Sequence, residues 1–215
     1  MTRYPDSIAA AVEHELVIKK SRFIAQAIPV RSVPEADAAI AAIRTRYWDA
    51  RHNCTAMITG LLGDQARSSD DGEPSGTAGM PMLEVLRRRE LTDLVVVVTR
   101  YFGGIKLGAG GLVRAYSSAV SEALDRAAII RRRELVAVSV EVAHADAGRY
   151  ENVLRDWAGR HDAVMDETRY SASAVLGLRV SPDALDRFDA DLASASAGMV
   201  VAHRGEVSVI DVPAS

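Results

Sequence analysis

Cys54 is the only cysteine in the chain, so no internal disulfide can form and no cysteine cluster with metal-ligand spacing exists. A reducing cytosol is the expected compartment. Aromatic residues are scarce, at 5%, and no RNP-type sheet of stacking rings is present. Neither sign of charge dominates: 26 Lys and Arg stand against 29 Asp and Glu, a formal net charge of −3. That excludes a uniform cationic coat for nucleic acid, so contact with it would need local basic patches. No apolar run nears the ~20 residues that span a bilayer, and residues 1–11 hold neither an apolar core nor a small-residue cleavage site. Neither export nor membrane residence is expected. His144, His161 and His203 are scattered without ligand spacing, and no internal repeat is found.

What is present suits a globular protein of one large or two small domains, since 48% of the 215 residues are apolar. Two strands, or one strongly bent strand, are expected across residues 15–30, on either side of the basic run Lys19, Lys20, Ser21, Arg22. Pro34 begins an amphipathic helix with Ala36, Ala39, Ile40, Ile43 and Tyr47 on one face, ending near Trp48. A strand is expected from Cys54 to Leu62, followed by a long loop from Gly63 to Gly79. Met80 to Arg89 predicts a short helix with Leu83 and Leu86 turned inward. Leu94 to Thr99 is a continuous apolar run with four successive valines, the pattern of a strand covered on both faces and central in its sheet. A glycine-rich segment then leads into a helix with Leu112, Tyr116, Ala119, Val120, Ala123, Leu124 and Ala127 on one face.

A second domain is expected past the run Arg131, Arg132, Arg133, where Val136, Val138, Val140 and Val142 alternate as in a strand. A helix carrying Ala147, Tyr150, Leu154 and Trp157 follows, then a weak strand from Val164 to Tyr170 and a clear one through Ala174, Leu176, Leu178 and Val180. Leu185, Phe188 and Leu192 mark another helix, and Val207 to Val212 a last strand. Strand, helix, strand, strand, helix, strand is the order of a ferredoxin-like βαββαβ unit.

Three segments could carry chemistry. Between Phe102 and Gly111 lie five glycines, placed between a buried strand and a helix start. Unpaired N–H groups and the helix dipole there could receive phosphate or carboxylate, with Lys106 as countercharge. The spacing is neither that of a Walker loop nor that of a dinucleotide fingerprint, and turns requiring positive φ are the competing explanation. The loop Ser68 to Gly79 gathers Asp70, Asp71 and Glu73 with Ser75 and Thr77. It could hold a hard cation such as magnesium, pair with basic groups of the glycine segment, or form a solvated turn with helix caps. His52, Asn53 and Cys54 admit a cysteine nucleophile, but an inward-packed thiol is the ordinary reading. Lys19, Lys20, Arg22, Arg100, Lys106 and Arg114, with Tyr101, Phe102 and Tyr116, could form a surface that tracks phosphates and stacks bases.

Two of these stretches, Ser69-Asp-Asp-Gly-Glu-Pro-Ser-Gly-Thr-Ala-Gly79 and Val98-Thr-Arg-Tyr-Phe-Gly-Gly-Ile-Lys-Leu-Gly-Ala-Gly-Gly-Leu-Val-Arg-Ala-Tyr116, closely resemble the signature of the YigZ/IMPACT family. Lys20-Ser-Arg-Phe-Ile24 and Arg51-His-Asn-Cys54 look like further family segments, with Arg51 where a smaller residue such as Thr is common. The resemblance implies an α+β fold: residues 1–132 as a domain like the second domain of ribosomal protein S-five and the GHMP kinases, and residues 133–215 as a ferredoxin-like domain similar to the fifth domain of elongation factor G. It points to RNA, the ribosome or a nucleotide. Eukaryotic relatives regulate translation initiation with an additional N-terminal domain that this sequence is expected to lack. The expected function is therefore a cytoplasmic regulator of translation that binds RNA, the ribosome or an acidic protein partner. Arg100, Gly103, Gly104, Lys106, Gly108, Gly110, Gly111 and Arg114 are its expected anion or RNA site, and Asp70, Asp71, Glu73, Ser75 and Thr77 form a supporting acidic loop. No catalytic residue, cofactor or metal is assigned. The alternative is a magnesium-dependent phosphotransferase or hydrolase of a small phosphorylated molecule.

Overall fold

The computed structural model describes residues 4–213. They divide into one unit that runs through Arg132 and also takes Val212, and a second unit, Arg133–Asp211. In the first unit β1 (Ser7–Ile8), β2 (Val12–Ile18) and β3 (Ser21–Pro29) precede α1 (Val33–Arg46). Then follow β4 (His52–Thr59), β5 (Gln65–Ser69), α2 (Gly79–Arg88), β6 (Leu94–Tyr101) and α3 (Ala109–Leu124). Five strands form an antiparallel sheet in the order β2-β3-β6-β4-β5. The valine run is its middle strand, and alternation explains why all of it is apolar. Val96 and Val98 join the core under α2 and α3, while Val95 and Val97 join Val30, Ile40, Ile43 and Met57 beneath α1. A strand covered on both faces has no side on which to place a polar residue.

Local chemistry sets the element ends. Ser32 caps α1 by accepting from the Glu35 amide at 3.3 Å, and the Glu35 carboxylate accepts from the amide of Arg31, just before the cap, at 2.8 Å, with Pro34 in the first turn. The basic run between β2 and β3 is a two-residue hairpin turn. Ile18 pairs with Ser21, and Lys19 and Lys20 take φ of 46° and 65°. Such turns favour Asn-Gly, because side chains in the left-handed region crowd their own backbone.

The expected long loop from Gly63 to Gly79 is corrected in part: β5 occupies its first half, paired with β4 from Thr55↔Ser69 to Thr59↔Gln65. This is an edge strand of mostly exposed, polar residues, so it is held by backbone pairing and leaves no apolar period to read. The strand β4 ends at Thr59 rather than Leu62, and α3 begins at Ala109, three residues before Leu112. Likewise β7 (Ile129–Val142) contains the arginine run instead of following it. Its first residues pair with β1 (Ser7↔Ile130, Ile8↔Ile129), and Arg132 forms a buried 2.5 Å ion pair with Asp93.

In the second unit, the rest of β7 is followed by α4 (Ala147–His161), β8 (Val164–Met165), β9 (Arg169–Tyr170), β10 (Ala174–Val180), α5 (Leu185–Ser196) and β11 (Ala202–Pro213). The expected strand from Val164 to Tyr170 is thus two short pieces, and the last strand starts five residues before Val207. Neighbours run β11-β7-β10-β8, with β9 also on β10, the ferredoxin-like order. The alternating valines of β7 and the Ala174, Leu176, Leu178, Val180 face of β10 pack on Tyr150, Leu154, Trp157 and Phe188. Both units are α+β, as expected. Among the described residues no helix is long and apolar enough to cross a membrane.

Replacing Lys19 with Asn and Lys20 with Gly supplies the residues the hairpin turn favours. The double variant is expected to gain about 1–2 kcal/mol in urea unfolding; unchanged stability would mean the turn carries no strain.

Candidate functional site

The two motifs meet at one cleft. The acidic loop leads from β5 into α2, the glycine segment leads from β6 into α3, and both contribute walls to a depression of about 420 Å³. Glu73 comes from the first motif; Arg100, Phe102, Lys106 and Gly108 come from the second; Arg51 and His52 complete it from the start of β4.

Glu73 is the hinge of the acidic loop. Its side chain is 3% exposed, and its Oε1 accepts from Arg100 Nη1 at 2.6 Å and from the Tyr116 hydroxyl at 2.8 Å. The guanidinium of Arg100, itself 7% exposed, lies 5.3 Å from the Phe23 ring centroid and 5.6 Å from that of Phe102. Its Nε has no hydrogen-bond partner. The other two carboxylates are turned into the chain's own backbone. Asp70 accepts from the amides of Gly76 (2.8 Å), Ala78 (3.0 Å) and Gly79 (2.8 Å), where α2 begins. Burial works to raise its pKa, but those three amides together outweigh it and hold the carboxyl below the ordinary range. Asp71 accepts from the Asn53 amide at 2.6 Å and from Arg44 at 2.7 Å, and its carbonyl accepts from His52 Nδ1 at 2.9 Å. Thr77 donates to the Pro74 carbonyl at 2.7 Å, and Ser75 is exposed. Among the described residues no three of His, Cys, Asp and Glu converge so as to hold a metal ion.

The five glycines do different things. Gly103 belongs to the hairpin: its amide donates to Ser21 Oγ at 3.1 Å, and a Cβ on it would lie 2.0 Å from the Lys20 carbonyl carbon. Gly104 and Gly108 have φ of 85° and 72°, which only glycine adopts without strain. A Cβ on Gly111 would touch the Leu107 side chain at 3.0 Å. Gly110 has neither a positive φ nor any atom within 4 Å of a built Cβ. No side chain caps α3, whose first amides have no preceding carbonyl within the helix to bond. Lys106 and Arg51 are exposed and, among the described residues, have no ion-pair partner.

The expected basic rim is only partly assembled. Arg22 is committed to Glu15 by two hydrogen bonds of 2.8 and 2.9 Å, and Arg114, though exposed, does not line the cleft. Tyr116 is fully buried and therefore no stacking surface. Tyr101 donates to Asp49 at 2.7 Å. Arg51 was not singled out as a ligand-binding residue, although the register His52↔Arg100 brings it beside the glycine segment. Pairing across strands is what a linear reading misses.

Cys54 is buried, 3.0 Å from the Asp70 carbonyl, to which its thiol donates, and 3.3 Å from the Tyr116 hydroxyl. Burial, opposed by the Tyr116 contact and reinforced by the charges of Glu73, Asp71 and Asp70, pushes the thiol up to about 12. It is expected to stay unreactive toward a thiol reagent at pH 8 until the chain unfolds; rapid labelling of the native protein would contradict this. Glu73→Ala leaves the Arg100 guanidinium buried without its countercharge and is expected to cost about 3–5 kcal/mol in chemical denaturation. Asp70→Asn should destabilise at neutral pH. The depressed folded-state pKa gives stability that is present above the unfolded value and lost as pH falls through the folded one. The gap between wild type and variant should therefore close on acidification, and a pH-independent gap would refute the assignment.

Comparison with known proteins agrees with these motifs. Residues 19–124 match the Impact N-terminal domain, and residues 140–199 match a domain of unknown function, DUF1949. The IMPACT family member YvyE of Bacillus subtilis is 38% identical over 205 residues, 95% of this chain and 93% of its own length. The IMPACT family member YigZ of Escherichia coli is 37% identical over 183 residues, 84% and 88% of the two lengths. A crystal structure described as that of a hypothetical protein aligns at a TM-score of 0.59 with 34% identity, covering 96% of this chain and 99% of that one. With the Impact N-terminal domain matched over residues 19–124 and relatives 37–38% identical over 84–95% of its length, the chain belongs to the IMPACT family.

Proposed function

We propose that this chain is a translation-linked binding protein that holds an RNA phosphate at the start of α3. The observation that carries the reading is the uncapped first turn of α3, opening beside Lys106 and Arg51 in a cleft whose one buried carboxylate, Glu73, is already paired with Arg100. Unpaired amides, the positive end of a 16-residue helix and two unpaired cations together favour an anion. Gly110 adds support. Gly110 lies in the first turn of the helix with open space above it, like Gly148 and Gly159 elsewhere, and it costs up to about 1 kcal/mol relative to alanine. At this place it leaves the first amides of the helix open to close approach by a ligand. The IMPACT family's link with translation regulation directs the choice of anion toward RNA.

The magnesium-dependent phosphotransferase reading has less support. Asp70 and Asp71 already accept from the amides that organise the acidic loop, one oxygen of Glu73 is held by Arg100, and among the described residues no three potential ligands converge.

Binding of a short fluorescein-labelled RNA, and of purified ribosomes, should weaken as salt rises from about 50 to 200 mM. Lys106→Ala should lower affinity and reduce the salt slope by about 0.7–1; an unchanged slope and affinity would overturn the reading. Gly110→Ala should raise the melting temperature yet weaken RNA binding, because the methyl group helps the helix and covers its first amides. Improved stability with unaltered binding would remove Gly110 from the site.

A further inference from the structure

The geometry points to a nucleobase platform beside the phosphate site: the ring of Phe102 receives one unstacked base of single-stranded RNA while the adjoining phosphate sits at the start of α3. The inference rests on the cleft being the phosphate site, and it specifies what kind of RNA can enter.

Phe102 is 51% exposed, and it is a wall of the cleft rather than a ring on open surface. Directly before it, Tyr101 is tied to Asp49 at 2.7 Å, and directly after it, Gly103 is pinned against the Lys20 backbone and Ser21. Behind the ring lies the Arg100 guanidinium, 5.6 Å from its centroid. Phe23, fully buried, is 5.3 Å from the same guanidinium. Phe23 and Phe102 thus both lie within 6 Å of one guanidinium, the first ring in the core and the second half in solvent. A ring fixed on both sides in sequence and backed by a planar cation loses little freedom when a base stacks on it.

The same cleft contains both ends of such a ligand. Phe102, Lys106 and Gly108 are all walls of one depression of about 420 Å³, within the ~300–1,000 Å³ common to small-ligand pockets. Leu107 and Leu112 give it an apolar floor. Arg100 supplies an independent sign of a ligand: a wall residue whose side chain is 7% exposed retains an Nε donor with no partner. Buried donors are almost always satisfied, so this one marks the wall beside Phe102 as incomplete within the described chain. A phosphate site alone would not use Phe102. A base in a duplex, stacked on both faces, could not reach the ring, so the arrangement selects single strands.

The test is a cycle of protein and RNA changes on the full chain. Wild type, Phe102→Ala and Lys106→Ala are each titrated with a fluorescein-labelled single-stranded RNA, with the same strand made abasic, and with its duplex. Wild type should bind the intact single strand roughly tenfold or more tightly than the abasic strand or the duplex. Phe102→Ala should lose that preference while keeping the salt slope set by phosphate, and Phe102→Trp should retain it. Lys106→Ala should lower the salt slope on every RNA and keep the preference. If wild type binds intact and abasic strands equally, or if Phe102→Ala keeps the full preference, the platform is refuted. The phosphate site would still stand on the Lys106 result. Circular dichroism of Phe102→Ala confirms folding, and should that variant unfold, the wild-type comparison of intact with abasic RNA decides by itself.

Discussion

The first unit is organised around one buried ion pair. Arg100 and Glu73, 7% and 3% exposed at their side chains and 2.6 Å apart, join the end of the central strand to the acidic loop, and the Tyr116 hydroxyl brings α3 into the same contact. Two charges withdrawn from water are costly unless each finds a partner. Here the pairing forces the two loops together, because either charge left alone would destabilise the fold more than the pair does. The loops form one cleft for that reason, and the pair also neutralises Glu73, the one acid among the cleft's walls in the described residues. The interaction that closes the core thus leaves Lys106 and Arg51 as the cleft's charged walls without an ion-pair partner among the described residues.

Much of the fold was legible because hydrophobic period and burial agree. The four valines of β6 read as a strand covered on both faces and are one, and the alternation in β7 and β10 named the ferredoxin-like core residue by residue. Elements held by the backbone alone escaped notice. The edge strand β5 is nearly all exposed, so its sequence carries no period. The arginine run at the start of β7 looked like a boundary, yet Arg132 is buried against Asp93; a charge reads as surface until its partner, distant in sequence, is known.

The site was legible in its composition and less so in its wiring. Lys106, Gly108 and the α3 start lie where the glycine segment placed them. Asp70 and Asp71 look like ligands in a linear reading, because carboxylates that cap amides and carboxylates that bind cations have the same letters. Only geometry separates them. Glycine is ambiguous in the same manner: Gly103 makes room for a neighbouring backbone, Gly104 and Gly108 permit a turn, and Gly110 has neither a positive φ nor a crowding neighbour from another element.

The left-handed pair Lys19 and Lys20 has a bearing on handling the protein. Two adjacent basic residues at an exposed hairpin tip are the sequence a trypsin-like protease seeks, but such enzymes engage their targets as extended strands. With φ of 46° and 65°, neither lysine offers that shape, and Ser21 behind them is anchored to Gly103. Scission after either lysine requires the hairpin to open first, so nicking at this point serves as a gauge of how often that edge of the sheet comes apart.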